Sequence, residues 1–253
     1  MPRRLHRNYC KDQGMDHALA AGIEAANHDL AACLRAANHD LAIEIATTDA
    51  QIREAQRLRH KVYCEGQGYE PGVNGLEMDA FDDTSRHVLV RARASGDVLG
   101  TVRVVLGTDR VGHDSFPMQR VCARYVLAPL PAVATGELSR FALARERPGI
   151  SPSSSALMRL FLMRGIVAVS GQHQLTHWCA IMEQGLVRLL RSSAIHFQHV
   201  GPMIEFRGNR QPVVAAVSTL LGRIQMEKPQ VWGFITDHGM LWQDQQESML
   251  SFA

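Results

Sequence analysis

Surplus charge is almost absent from this 253-residue chain: 27 Lys and Arg against 25 Asp and Glu leave a formal net charge of +2. No overall field steers it to nucleic acid or to an acidic membrane surface, so an acidic partner has to be met by a local patch. Aromatic residues are scarce at 6%, and no basic and aromatic motif for nucleic acid is interleaved among them. Cysteine supplies no framework either. Cys10, Cys33, Cys64, Cys122 and Cys179 are odd in number and scattered, with no CxxC pair and no histidines at zinc-ligand spacing, which points to free thiols. Apolar runs such as Phe161 to Met163 and Val213 to Val217 fall far short of the ~20 residues that span a bilayer. The basic start, Met1 to Lys11, is followed by Asp12, Asp16 and His17 rather than by the apolar core of a secretory signal. The expectation is a cytoplasmic protein without a transmembrane segment.

What is there reads as an ordinary folded chain, 46% hydrophobic and 21% charged. Its length suits one large domain with an extension. Asp16 to Ile45, rich in Ala and Leu and free of proline, predicts a helix. Inside it Ala25-Ala26-Asn27-His28-Asp29-Leu30-Ala31 recurs as Ala36-Ala37-Asn38-His39-Asp40-Leu41-Ala42, an 11-residue offset that brings a helix back to nearly the same face. His28 and His39 would stand ~16 Å apart on that helix, too far to share a metal. Thr48-Asp49 offers an N-cap for a second helix ending near Cys64, and the loop that follows carries Gly66, Gly68, Pro71, Gly72 and Gly75.

His87 to Val105 predicts a hairpin turning at Ser95-Gly96-Asp97. A strand at Ala134 to Ala144, a helix from about Ser155 to Ser170, a strand at Thr176 to Met182, a helix at Gln184 to Ser192 and a strand at His196 to Phe206 follow. Beyond Pro212 a helix and a short segment with Trp232 complete the chain. These elements predict an α/β fold, a mixed central sheet flanked by helices. The expected organisation is a helical extension over 1–46, a catalytic domain over 47–215 and a tail over 216–253.

Chemistry concentrates in Arg59, Tyr63 and Tyr69, then Met78-Asp79-Ala80-Phe81-Asp82, then Gly100-Thr101-Val102-Arg103, then Glu137-Leu138-Ser139-Arg140-Phe141. Later come Met182-Glu183, Leu189-Leu190, Val200-Gly201-Pro202 and Gly208-Asn209-Arg210-Gln211-Pro212. In that order and spacing, over roughly Gln51 to Pro212, they resemble the long-chain N-acyl amino acid synthases, of the N-acyltyrosine-synthase type found with bacterial exosortase systems. Those are relatives of the acyl-homoserine-lactone synthases. The resemblance implies a GNAT-like acyltransferase fold. It also implies transfer of a fatty acyl group from the 4'-phosphopantetheine thioester of acyl carrier protein to the amino group of an amino acid. The alternatives are a lactone synthase using S-adenosylmethionine, and a binding protein for acyl chains or acyl carriers that does not turn over.

An amine attacks a thioester only when neutral, so a carboxylate beside it is a sensible general base. The resemblance gives that place to Glu137. With strict alternation, Glu137, Ser139 and Phe141 share one face of a strand while Leu138 and Arg140 share the other, so Arg140 is expected to support from behind. Ser139 has no histidine at triad spacing and is expected to be a polar helper. The resemblance puts Asp79 and Asp82 beside Arg103 at the amine site, with Arg59, Tyr63, Tyr69 and Phe141 completing the substrate-binding set. Arg103 either captures the acceptor carboxylate or pairs only with Asp79 and Asp82. Arg145, Arg147 and Arg159, with Arg164, are expected to meet the carrier and its phosphopantetheine, or to form a solvated basic face. The incomplete glycine-rich stretch Arg145-Glu146-Arg147-Pro148-Gly149 fits a carrier's single phosphate better than coenzyme A. Met158, Phe161, Leu162, Met163, Ile181, Met182 and Met203 either line an acyl tunnel or pack the core. His173 and His177 are separated by the predicted start of a strand, and no metal site is assigned.

Overall fold

Local chemistry sets the start of the helix that follows Thr48. Thr48 caps a helix through a reciprocal box: its Oγ1 accepts the Gln51 N–H at 3.3 Å and its own N–H donates to Gln51 Oε1 at 3.0 Å. The computed structural model describes residues 29–68, 72–109, 114–123 and 126–242. Residues 29–40 form helix α1, strand β1 is Leu41–Ile45, and the capped helix is α2, Asp49–Arg59. Asp49 in its first turn and Arg57 and Arg59 in its last oppose the helix dipole. A π-helical turn, His60–Glu65, extends it.

The strands β2 (Ser85–Ala92), β3 (Val98–Leu106), β4 (Thr135–Leu143) and β5 (His177–Glu183) are joined by the two-residue strands β6 (Gln198–His199) and β7 (Ile204–Glu205) and by β8 (Asn209–Ala216). They make one eight-stranded sheet in the order β1-β2-β3-β4-β5-β8-β6, with β7 also on β8. Every pair is antiparallel except β4 with β5, which is parallel. Helix α3 (Pro152–Gln172) connects that parallel pair, as a crossover between parallel strands must. Helices α4 (Gln184–Arg191), α5 (Val217–Glu227) and α6 (Pro229–Thr236) complete the order.

Alternation sorts the two faces. Val88, Val90, Val102, Val104 and Leu138 pack with Phe161, Leu162, Ile166 and Val169 of α3 in the main core, while Leu89 packs with Ala55 of α2 on the other side. Helix α3 is apolar all round because the sheet covers one side and α6 another. It is the one helix among the described residues long and apolar enough to cross a membrane, and 61% of that window is buried within the fold. Its approach to the sheet depends on Gly165, where an added Cβ would stand 2.2 Å from Val88 Cγ1.

Three expectations change. The helix predicted through Ile45 ends at residue 40, because Leu41, Ile43 and Ile45 pack on the core from an edge strand paired to β2. The second copy of the repeat therefore crosses a helix-to-strand junction; Ala25 to His28 of the first copy fall in residues 1–28, which lie outside the described ones. The strand predicted from His196 to Phe206 is two short strands. The larger omission is β8, hidden by Pro212. That residue lies between the stretch paired to β6 and the stretch paired to β7, where the second neighbour is interrupted and a missing N–H is tolerated.

Candidate active site

The parallel ladder between β4 and β5 is short, from Thr135↔His177 to Glu137↔Cys179. Past it, β4 stays with β3 and β5 stays with β8, so the two strands part. On β4 the pairing moves from Arg103↔Ser139 to Thr101↔Ala142, leaving Val102 opposite both Arg140 and Phe141. Arg140 accommodates this bulge in the left-handed region, at φ 55°, a conformation that costs a non-glycine residue about 1–2 kcal/mol. Its own bonds offset that strain: Nε donates to Glu77 Oε1 at 2.8 Å and Nη2 to Asp79 Oδ2 at 2.9 Å.

The bulge corrects the expected faces. Arg140 is not behind the sheet; it shares Asp79 with Arg103, whose Nε donates to Ser139 Oγ at 3.1 Å. Phe141 does not accompany Glu137 and Ser139, but packs with Leu138 and Leu143 against the core on the α3 side. One extra residue in a strand reverses the alternation beyond it, and nothing in the sequence around Ser139 marks that insertion.

Beneath the site three arginines interleave with three carboxylates. Arg59 bonds Glu77 at 2.5 Å and Asp82 at 2.9 Å, and Arg103 bonds Asp79 at 2.6 Å and Asp82 at 2.7 Å. Arg140 closes the chain through Glu77 and Asp79. Arg59 and Arg103 are fully buried, so each guanidinium depends on its acids. Burial pushes the Asp79 and Asp82 carboxyls up, but the arginines beside them outweigh it and hold both below the usual carboxylate range. His87, buried on β2, has Nε2 3.9 Å from Asp82 Oδ1. Burial first, then the charges of Arg59 and Arg103, lower it to about 4 against the acids' opposing pull, so it is neutral at pH 7. Sequence reasoning missed Glu77 and His87. The signal for Glu77 was available: it begins the run Glu77, Asp79, Asp82, three acids for three arginines.

Glu137 is 3% exposed, and its Oε2 accepts the Met118 N–H at 2.8 Å. Burial raises its pKa to about 7, against the Met118 hydrogen bond and the positive charges of Arg103 and Arg140. It lines a cavity of about 370 Å³ with Asp79, Ser139, Arg140, Arg120 and Arg207. A second cavity of about 440 Å³ follows the opening between β4 and β5, walled by Phe141, Met163 and Ile166, Met182, and Leu186 and Leu190 of α4. Tyr63, Leu138, Ser139, Arg140, Ile181 and Arg210 line both. The two spaces therefore meet where the strands part. Tyr63 donates its hydroxyl to the Phe141 carbonyl at 2.9 Å, and burial pushes its phenol up to about 12, so it stays protonated.

Of the expected substrate-binding residues, Tyr63, Asp79 and Phe141 reach these cavities. Arg59, Asp82 and Arg103 line neither: Arg103 bonds both Asp79 and Asp82, and Arg59 bonds Asp82 from the other side; Tyr69 lies outside the described residues. The expected carrier arginines separate. Arg145 donates to the Gly66 carbonyl at 2.9 Å and Arg147 to the Ala144 carbonyl at 2.6 Å, whereas Arg159 lines the second cavity. Met163, Ile181 and Met182 line that cavity too. Met158, Phe161 and Leu162 are core residues, and Met203 is exposed. Among the described residues the four cysteines are free, and no group of three His, Cys, Asp or Glu could hold a metal.

A sequence model of the GNAT acetyltransferase domain matches residues 58–149, from the end of α2 through β4. The fold is GNAT-like. The chain resembles the crystal structure of the AHL synthase LasI with a TM-score of 0.54 and 20% identity, over 69% of this chain and 88% of that one. It resembles FeeM, an N-acyl amino acid synthase from uncultured soil microbes, with a TM-score of 0.54 and 14% identity over 72% and 94%. The CoA-dependent acyl-homoserine lactone synthase BjaI, with SAM and isopentyl-CoA, gives 0.53 and 19% over 74% and 90%. No curated protein matches the sequence.

Proposed function

We propose that this protein is an N-acyltransferase that moves a long-chain fatty acyl group from the phosphopantetheine thioester of an acyl carrier protein to the amino group of an amino acid. The observation that carries this reading is the junction of a charged cavity holding Glu137 with an apolar cleft between β4 and β5. The amine occupies the charged cavity and the thioester reaches the junction from the cleft. With its pKa near 7, Glu137 takes a proton from the acceptor ammonium, directly or through water. Glu137 passes that proton to water, the freed nitrogen attacks the thioester carbon, and the nitrogen's second proton goes through Glu137 to the pantetheine sulfur as the C–S bond breaks, so that an amide and a thiol form and one proton is released. Ser139 Oγ accepts from Arg103, which leaves its own proton for the developing oxyanion.

Two features favour the finer choices. Arg120, Arg140, Arg207 and Arg210 surround the Glu137 cavity, and its other lining acid, Asp79, already binds two arginines. Such a site suits an acceptor carboxylate and opposes the positive sulfonium of S-adenosylmethionine. At the start of α3, Asp40 accepts hydrogen bonds from Ser154 Oγ at 2.7 Å and Ser151 Oγ at 3.3 Å. Pro152 has no N–H, and the Ser154 N–H is taken by Ser151. A helix start closed by a carboxylate disfavours a pyrophosphate, which argues for a carrier protein over coenzyme A.

The test is product analysis by mass after the purified protein meets palmitoyl-carrier or palmitoyl-CoA, each with a panel of amino acids or S-adenosylmethionine. N-acyl amino acids formed from the carrier thioester support the proposal. An acylated lactone formed only with S-adenosylmethionine overturns it in favour of a lactone synthase, and thioester binding without any product leaves a binding protein.

A further inference from the structure

Behind α4 lies a further cavity of about 230 Å³, between α1, α3, α4 and α6, lined by Leu30, Leu157, Leu160, Val231 and Lys228. Arg159, Leu189 and Leu190 line both this space and the cleft between β4 and β5. These three residues thus form the wall that the two spaces share. Leu190 is 3% exposed and packed in the core, whereas Leu189 is 48% exposed. Leu190 is therefore the buried member of the partition, and Arg159 its charged member. Among the described residues Arg159 has no ion-pair or side-chain hydrogen-bond partner. Its aliphatic stem can pack against a hydrocarbon while its head swings toward solvent, so no bond has to break for it to move aside.

We propose that this partition sets acyl-chain length: the cleft takes the proximal part of the chain, and longer chains pass Leu190 and Arg159 into the cavity behind α4. This rests on the cleft being the acyl site of the proposed reaction. Leucines line both spaces, with Ser192, Ser193 and Lys228 at the far one, so each added methylene is favourable only while there is apolar surface to bury it. Each buried methylene tightens binding about four-fold. In the wild-type protein, affinity should climb with chain length to a plateau, and the plateau should mark the far wall of the second cavity. Filling the partition should bring it forward; opening it should ease passage.

The test is calorimetric binding of a ladder of saturated acyl-pantetheine thioesters, from octanoyl to stearoyl, to the intact protein and two variants. Leu190→Phe fills the partition, and the plateau should fall by several carbons, with affinity for the shortest chains kept within about three-fold. Arg159→Ala opens it without disturbing a core residue, and the longest thioesters should gain at least about four-fold, one methylene's worth. A length profile unmoved in both variants overturns the partition while leaving the acyl site intact. Failure of every thioester to bind the wild-type protein overturns the acyl site and the partition together.

Discussion

Removing Arg103 tests the polar network on which the site rests. The guanidinium is fully buried and bonds Asp79 at 2.6 Å, Asp82 at 2.7 Å and Ser139 at 3.1 Å. Arg103→Met keeps a stem of similar length but leaves three carboxylates with two arginines. Breaking a buried pair costs about 3–5 kcal/mol when the surviving charge has no partner. Here Asp79 keeps Arg140 and Asp82 keeps Arg59, which puts the loss at the lower end, about 3 kcal/mol. The sign with pH follows from the acids. Their folded pKa values lie below the ordinary 3.8, so the stabilisation is fully present above that value and fades as pH falls through the folded pKa. The defect should therefore be largest near pH 7 and shrink in acid. Urea unfolding of both proteins across that range measures it. Arg103 also holds Glu137 down, so the acid limb of the variant's rate profile should move to higher pH. A loss under about 1 kcal/mol at pH 7, or one unchanged in acid, would refute the view of Arg103 as a shared counter-charge.

Three other outcomes are expected. His87 is held at about 4 against an ordinary 6.5, so the unfolded chain binds the extra proton between those values. About 3 kcal/mol of stability present above pH 6.5 should be lost on acidification toward pH 4, and His87→Gln should lack this slope in denaturant titrations. Gly165→Ala drives a methyl into Val88; overpacking of this kind costs about 1–3 kcal/mol, read as a lower Tm and partly restored by adding Val88→Ala. Asp40→Ala removes the carboxylate from the start of α3 and should lower the KM for palmitoyl-CoA more than for palmitoyl-carrier in steady-state assays, while equal changes would remove Asp40 as a reason for donor choice.

The parts of this fold that the sequence declares are those in which local signals and packing agree. The turn at Ser95 to Asp97, the Thr48 cap and the apolar α3 each announce an element, and each is present. Leu41 to Ile45 escaped because a helix-rich neighbourhood outweighs five residues whose strand state depends on pairing with β2, far along the chain. β8 escaped because Pro212 marks an end in sequence but falls at an interruption in space. At the site, the family resemblance singled out Glu137, Ser139, Arg140, Asp79 and Arg103, and the structure brings them together. Their orientation was not legible, since one bulged residue decides which way Arg140 and Phe141 face.

The central claim is that Glu137, in the charged cavity that adjoins the cleft between β4 and β5, is the base. Its most direct test is the single-turnover rate of acyl transfer from a pre-bound carrier thioester to excess amino acid, followed against pH. Wild-type protein should show a rate that rises as Glu137 ionises, with an inflection near pH 7, and Glu137→Gln should bind the thioester normally while losing about 10²–10⁴-fold in rate together with that inflection. A Gln variant that transfers acyl groups at the wild-type rate, with the same inflection, would contradict the account.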